Sequence, residues 1–134
     1  MGVIRLILLD THVLAWAVED SKRLSRAAAS EIRRARRGGG LAISAITLWE
    51  LSWLISRGRI HAGFTLEATV QMMVEGVTIL PISLEIAALA AQFPAHYPSD
   101  PADRIIGATA RAEGVTLVTR DERIRRSPLI RTVW

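Results

Sequence analysis

Four acidic side chains stand where a chain could use them for chemistry. Asp10 closes the apolar run ArgLeuIleLeuLeuAsp (5–10), and Asp121 lies two residues beyond ValThrLeuValThr (115–119). Glu50 interrupts ThrLeuTrpGluLeuSerTrpLeuIle (47–55), and Asp103 stands at the head of AspArgIleIleGlyAlaThrAla (103–110). Glu50 is the most informative. On a helix its neighbours one turn away are Ile46, Trp53 and Leu54, and the nearest downstream cation, Arg57, is two turns on. A carboxylate on such a face is costly unless something pairs with it. Four carboxylates brought together would also repel: two unit charges about 4 Å apart at an effective dielectric near 20 cost roughly 4 kcal/mol. A divalent cation resolves both problems. With oxygen ligands and no cysteine in the chain, the preference is for a hard ion, Mg²⁺ or Mn²⁺.

Asp100, three residues before Asp103, has a second explanation. Pro101 suits the first helical position, where its missing N–H has no partner to lose, and Asp100 before it is a favoured N-cap. Asp103 then sits in the first turn, where the helix dipole favours negative charge. Capping and ligation do not exclude each other: Asp100 is expected to cap while Asp103 binds metal.

These acids need elements to hold them. Five β-branched or leucine-rich runs, 5–9, 41–44, 77–82, 115–119 and 129–133, read as strands. Their apolar interiors predict strands covered on both faces, as in parallel sheets. Helical patterns fall between them at 12–19, 26–37, 45–57, 65–75, 84–92 and 101–113. Strands alternating with helices predict an α/β fold, in which ligand sites form beyond the carboxyl ends of the strands. Asp10 and Asp121 belong to that edge. Ser25, Ser44 and Ser83 precede helical runs as caps, and Gly58, Gly76 and Gly114 follow helices.

At 134 residues, one domain spanning 1–134 is expected. The longest uncharged stretches, such as GlyGlyGlyLeuAlaIleSerAlaIleThrLeuTrp (38–49), fall short of the roughly 18 residues of a membrane span. No targeting signal is read at the N-terminus, and a cytoplasmic location is expected. The absence of cysteine excludes disulfides and thiolate chemistry. The net charge is +4, and Lys22 is the only lysine beside the arginines, a composition compatible with a phosphate-bearing partner.

The order Asp10-Thr11 after the first strand, Glu50 in SerAlaIleThrLeuTrpGluLeu, Asp103 in AspProAlaAspArgIleIleGlyAlaThrAla, and ThrArgAsp (119–121) resembles the PIN-domain ribonucleases. More narrowly it is similar to the VapC-type toxins of bacterial toxin–antitoxin pairs. The resemblance runs from Val3 to Val133 and implies a three-layer sandwich, a mainly parallel five-stranded sheet of order 3-2-1-4-5 flanked by helices. It further implies a Mg²⁺-dependent endoribonuclease with one or two ions, a cognate antitoxin that inhibits it, and a homodimer. Asp10, Glu50, Asp103 and Asp121 match the family's metal-binding acids, and Thr119 the hydroxyl residue that supports them, with Thr11 and Asp100 as further supporting positions. The products implied carry a 5′-phosphate and a 3′-hydroxyl.

RNA approaching an acidic pocket needs a basic rim. Arg104, Arg120, Arg123, Arg125 and Arg126 follow the acids in sequence and are candidates. His12, His61 and His96 are read as structural or surface residues, and Trp49 and Trp53 as packing into the core or a partner groove. A receiver-type phosphoacceptor fold is disfavoured: it needs paired acids after the first strand, and only Asp10 stands there. The alternative that remains is a catalytically silent PIN-like module that binds RNA or protein.

Overall fold

Each strand is short and hands over to a helix whose cap is already in the sequence. In the computed structural model, which describes residues 5–60 and 63–134, β1 (Ile7–Leu9) ends at Asp10, which caps α1 (Thr11–Glu19). A 3-10 turn (Ser21–Arg23) leads to α2 (Arg26–Arg37), capped by Ser25. β2 (Leu41–Ser44) runs into α3 (Ala45–Ser56), with Ser44 accepting from the Ile46 N–H. α4 (Leu66–Met73), β3 (Thr78–Leu80) and α5 (Leu84–Ala91) follow, then α6 (Pro101–Glu113), β4 (Thr116–Val118), α7 (Glu122–Arg125) and β5 (Thr132–Val133). Ser83 caps α5 as expected. Gly114, which closes α6, sits at φ 65°, a left-handed conformation that costs glycine least.

The five strands form one sheet of order β3-β2-β1-β4-β5, and every neighbouring pair is parallel. Alternate residues of the central strands feed opposite cores. Ile7, Leu9, Leu41, Ile43 and Val118 pack with α1 to α4, whereas Leu8, Ala42 and Leu117 pack with α5, α6 and α7. The result is a helix–sheet–helix sandwich. Leu8 is fully buried, which stabilises the fold by roughly 1.5–3 kcal/mol. No helix among the described residues is long and apolar enough to cross a membrane.

Three expectations need correction. β3 is an edge strand, not a doubly covered one: Thr78 and Ile79 are exposed. It stops at Leu80 because Pro81 has no N–H to give a ladder. The run 129–133 is strand only at Thr132–Val133; Leu129 and Ile130 instead pack their side chains against the second core. Trp49 and Trp53 do not enter the core. They are 58% and 46% exposed and lie stacked, ring centroids 5.7 Å apart, with the Arg57 guanidinium 4.0 Å from the Trp53 ring centre. His61 lies outside the described residues.

Candidate functional site

All five strands point the same way, so the ends of β1 and β4 deliver Asp10 and Asp121 to one edge. β2 runs directly into α3, which brings Glu50, and α6 brings Asp103. The four acids line one cavity of about 620 Å³, together with Asp100, His12, Val13, Trp16 and Arg120. Three of its acids are helix caps: Asp10 on α1, Asp100 on α6 and Asp121 on α7.

Asp10 is held from both sides. Its Oδ1 accepts from the Thr11 N–H at 2.9 Å, and its Oδ2 accepts from the Thr119 hydroxyl at 2.8 Å. The same Thr119 oxygen accepts from the Asp121 N–H at 3.2 Å. One buried hydroxyl therefore sets the spacing between the acids that end β1 and follow β4. Asp121 Oδ1 in turn accepts from the N–H groups of Arg123 and Ile124 at 2.8 and 3.2 Å.

Glu50 finds its partner in a hydroxyl rather than a cation. The Thr11 hydroxyl donates to Glu50 Oε1 at 2.5 Å and lies 3.0 Å from the buried Thr47 hydroxyl. Sequence reasoning missed Thr47, although its place three residues before Glu50 puts both on one helix face. It also passed over Trp16, four residues after His12 on α1 and thus on the same side.

Asp103 is fixed through its backbone. Its N–H donates to Asp100 Oδ2 at 3.0 Å, and its carbonyl accepts from the buried Tyr97 hydroxyl at 3.3 Å. Asp100 thus caps as expected while also lining the cavity. Tyr97 fits this close to α6 because residue 107 is glycine: a Cβ there would stand 2.0 Å from the Tyr97 hydroxyl.

The electrostatics follow from crowding. Burial, and then the neighbouring charges of Asp10, Asp100, Glu50 and Asp121, push the Asp103 carboxyl up to about 7. Burial raises Glu50 as well, with the Thr11 hydrogen bond opposing and Asp10 and Asp100 adding to it. Asp10 is raised by burial against the lowering effect of its hydrogen bonds to Thr119 and Thr11. A site whose acids resist ionisation together is one that a cation would relieve. Among the described residues no three Asp, Glu or His side chains converge into a ready-made metal cage. The donors nevertheless are chiefly carboxylate oxygens, with His12 at the wall, which fits a small hard ion that keeps several waters and takes only one or two carboxylates.

The rim differs from expectation. Arg104 is not free for a ligand: its guanidinium donates to the carbonyls of Ala90 at 3.0 Å and Pro98 at 3.1 Å, and also to that of Phe93. It ties the connector before α6 to the helix. Arg120 does line the cavity. Arg123 reaches the His96 carbonyl at 3.4 Å, and His96 Nε2 lies 3.1 Å from the Ser127 hydroxyl. Arg125 and Arg126 are exposed on α7 and its C-cap, around a second depression beside Thr132 and Trp134.

Comparison with known proteins adds to this geometry. The PIN domain family model matches residues 7–128. Ribonuclease VapC22 of Mycobacterium tuberculosis is 41% identical over 130 residues, covering 96% of this chain and 98% of that protein. Among solved structures, a toxin–antitoxin complex from Klebsiella pneumoniae matches at TM-score 0.67 and 25% identity, over 96% of each chain. DNA-bound VapBC from Salmonella typhimurium matches at TM-score 0.74 and 22% identity, over 96% of this chain and 97% of that one, a likeness of fold.

Proposed function

This chain belongs to the PIN-domain family, and from that premise we propose that it is a divalent-metal-dependent endoribonuclease, the toxin of a toxin–antitoxin pair. The observation that carries the reading is the arrival of Asp10, Glu50, Asp103 and Asp121, from four separate elements, around one cavity. The ribonuclease name of the 41% identical relative supports the activity, and the toxin–antitoxin complex at 25% identity supports the partner.

Asp10 and Asp103 would hold Mg²⁺ or Mn²⁺, with Glu50 and Asp121 acting directly or through water. When bound, the ion lowers the pKa of a water and offsets charge on the phosphodiester oxygens. The chain's own share is positional. Thr119 and the Thr11 N–H fix both oxygens of Asp10. Thr11 occupies Glu50 Oε1, which leaves Oε2 to accept the proton of the attacking water. Attack at phosphorus breaks the bond to the 3′ oxygen and leaves a 3′-hydroxyl and a 5′-phosphate. The exposed apolar faces of α3 and α4, including Trp49, Trp53 and Met72, are where an antitoxin segment or the second copy of a homodimer would sit, in the cytoplasm.

The test is RNA cleavage by the purified chain in Mg²⁺ and in EDTA, beside Asp10→Asn and Asp103→Asn variants shown to be folded by circular dichroism. Cleavage should require the ion. It should drop by at least about a hundredfold in each variant, a loss that even outer-shell partners of a metal can cause. Variants as active as the parent would refute the assignment. Stabilisation by Mg²⁺ without any cleavage would establish the silent binding module instead.

A further inference from the structure

One wall of the cavity is unlike its acidic floor. Trp16 projects from α1 into the cavity, half-buried. The ring of Trp134, beyond β5, meets it nearly edge-on at 5.9 Å between centroids and 63°. The Arg23 guanidinium, from the 3-10 turn, lies 4.6 Å from the Trp16 ring centre, and that of Arg120, between β4 and α7, lies 5.8 Å away. His12 is tilted against the same indole at 6.1 Å. Two segments distant in sequence, at Arg120 and Trp134, thus join the neighbouring Arg23 and His12 on one aromatic ring that remains partly open to the cavity.

Core packing does not account for this assembly. Trp134 packs against the core, but Trp16 does not belong to its buried set. Arg23 and Arg120 are exposed, and among the described residues neither forms an ion pair. The wall therefore offers an indole and, on its ring, two guanidinium groups without a carboxylate partner, of which Arg120 also lines the cavity with the acids. A nucleotide has the matching parts: a flat base to stack and a phosphate to meet the cations. Aromatic rings and arginine planes both stack on bases, and such stacking tolerates any base because every base has a π-face.

We propose that Trp16, flanked by Arg23 and Arg120, is a base-stacking subsite that seats an unpaired nucleotide next to the phosphodiester at the acids. The proposal rests on the reading of the cavity as an RNA-cleaving site and adds to it the seat of one unpaired base, on Trp16, beside the phosphodiester to be cut. Arg23 and Arg120 take the phosphate flanking that base.

The experiment is an abasic scan. Single-stranded hexaribonucleotides, each lacking one base, are titrated in Mg²⁺ against the Asp103→Asn chain carrying either Trp16 or Trp16→Leu. With Trp16 present, loss of the base at one position should weaken binding about 5- to 100-fold. With Trp16→Leu that position should become indistinguishable from the others, and Trp16→Phe should keep most of the effect. Arg23→Gln and Arg120→Gln, both at exposed positions, should each reduce the slope of log affinity against log salt by about 1. Photo-crosslinking of 5-iodouridine RNA to the unsubstituted chain should label Trp16, a readout independent of whether the leucine variant folds. Identical scans with and without Trp16, a crosslink only elsewhere, or no measurable RNA binding overturns the proposal. The two readings separate cleanly. RNA cleavage that is indifferent to Trp16 defeats the subsite alone, and Trp16-dependent binding without cleavage by the unsubstituted chain defeats the nuclease alone.

Discussion

Replacing Asp103 by asparagine should make the metal-free protein more stable, although it removes a residue central to the proposed chemistry. Burial and four neighbouring acids raise this carboxyl from an ordinary 3.8 to about 7. In the unfolded chain it ionises near pH 4, so between about pH 4 and 7 the folded state holds a proton that the unfolded state has released. Stability from this group is thus greatest in acid and falls as pH rises through that window. At about 1.4 kcal/mol for each tenfold change in proton affinity, the displacement sets a ceiling near 4 kcal/mol. Asp103 is partly open to solvent, which screens its neighbours, so a gain on the order of 1–2 kcal/mol is expected for Asp103→Asn above pH 7. For a chain of this length that corresponds to a rise in Tm of roughly 3–8 °C. The assay is thermal unfolding by circular dichroism in EDTA at pH 5, 6 and 7.5, parent against variant. The difference should open as pH rises, because the parent loses stability that the asparagine chain keeps. Mg²⁺ should then raise the parent at pH 7.5 more than the variant. A variant that melts below the parent in EDTA at pH 7.5, or a difference independent of pH, would show that crowding of the acids has been misjudged.

Thr119→Val removes the donor to Asp10 Oδ2 and the acceptor of the Asp121 N–H; Mg²⁺ affinity, measured by calorimetry, should weaken about 10- to 100-fold while the fold persists. Gly107→Ala would drive a methyl to 2.0 Å from the Tyr97 hydroxyl, and urea unfolding should report a loss of about 1–3 kcal/mol or more. Arg104→Gln strands the carbonyls of Ala90, Phe93 and Pro98; it should destabilise by about 2–4 kcal/mol, yet leave the salt dependence of RNA binding as in the parent, unlike Arg120→Gln.

The parallel character of the sheet was legible because its signals are local and redundant: apolar runs too continuous for a one-sided strand, and caps at Ser25, Ser44, Ser83 and Asp100; the strand order 3-2-1-4-5 came only with the family resemblance. The convergence of Asp10 and Asp121 followed from strand direction alone. What escaped depended on side chains meeting across the fold. Arginines look alike in sequence, and only the path of the 93–100 connector decides that Arg104 is spent on carbonyls while Arg120 faces the cavity. Thr47 and Trp16 carry no charge and so gave no electrostatic signal, though helical spacing from Glu50 and His12 pointed to both. The exposure of Ile79 was hidden because an edge strand and a central one can share the same apolar letters.

Since the five strands run in one direction, the molecule has two ends of unequal tolerance. Links that leave the strands carry the acids, and each added residue there would change their spacing. Among the described residues, links that enter the strands lie at the opposite end, away from the acids. Gly39, in the turn before β2, has φ 69° and nothing within 4 Å of where a side chain would begin, whereas at Gly40 a Cβ would press on the Arg5 carbonyl at 2.7 Å. A tag or reporter spliced between Gly38 and Gly39 therefore has room to leave the surface while the far rim keeps its shape, which makes that turn the natural handle for immobilising the protein.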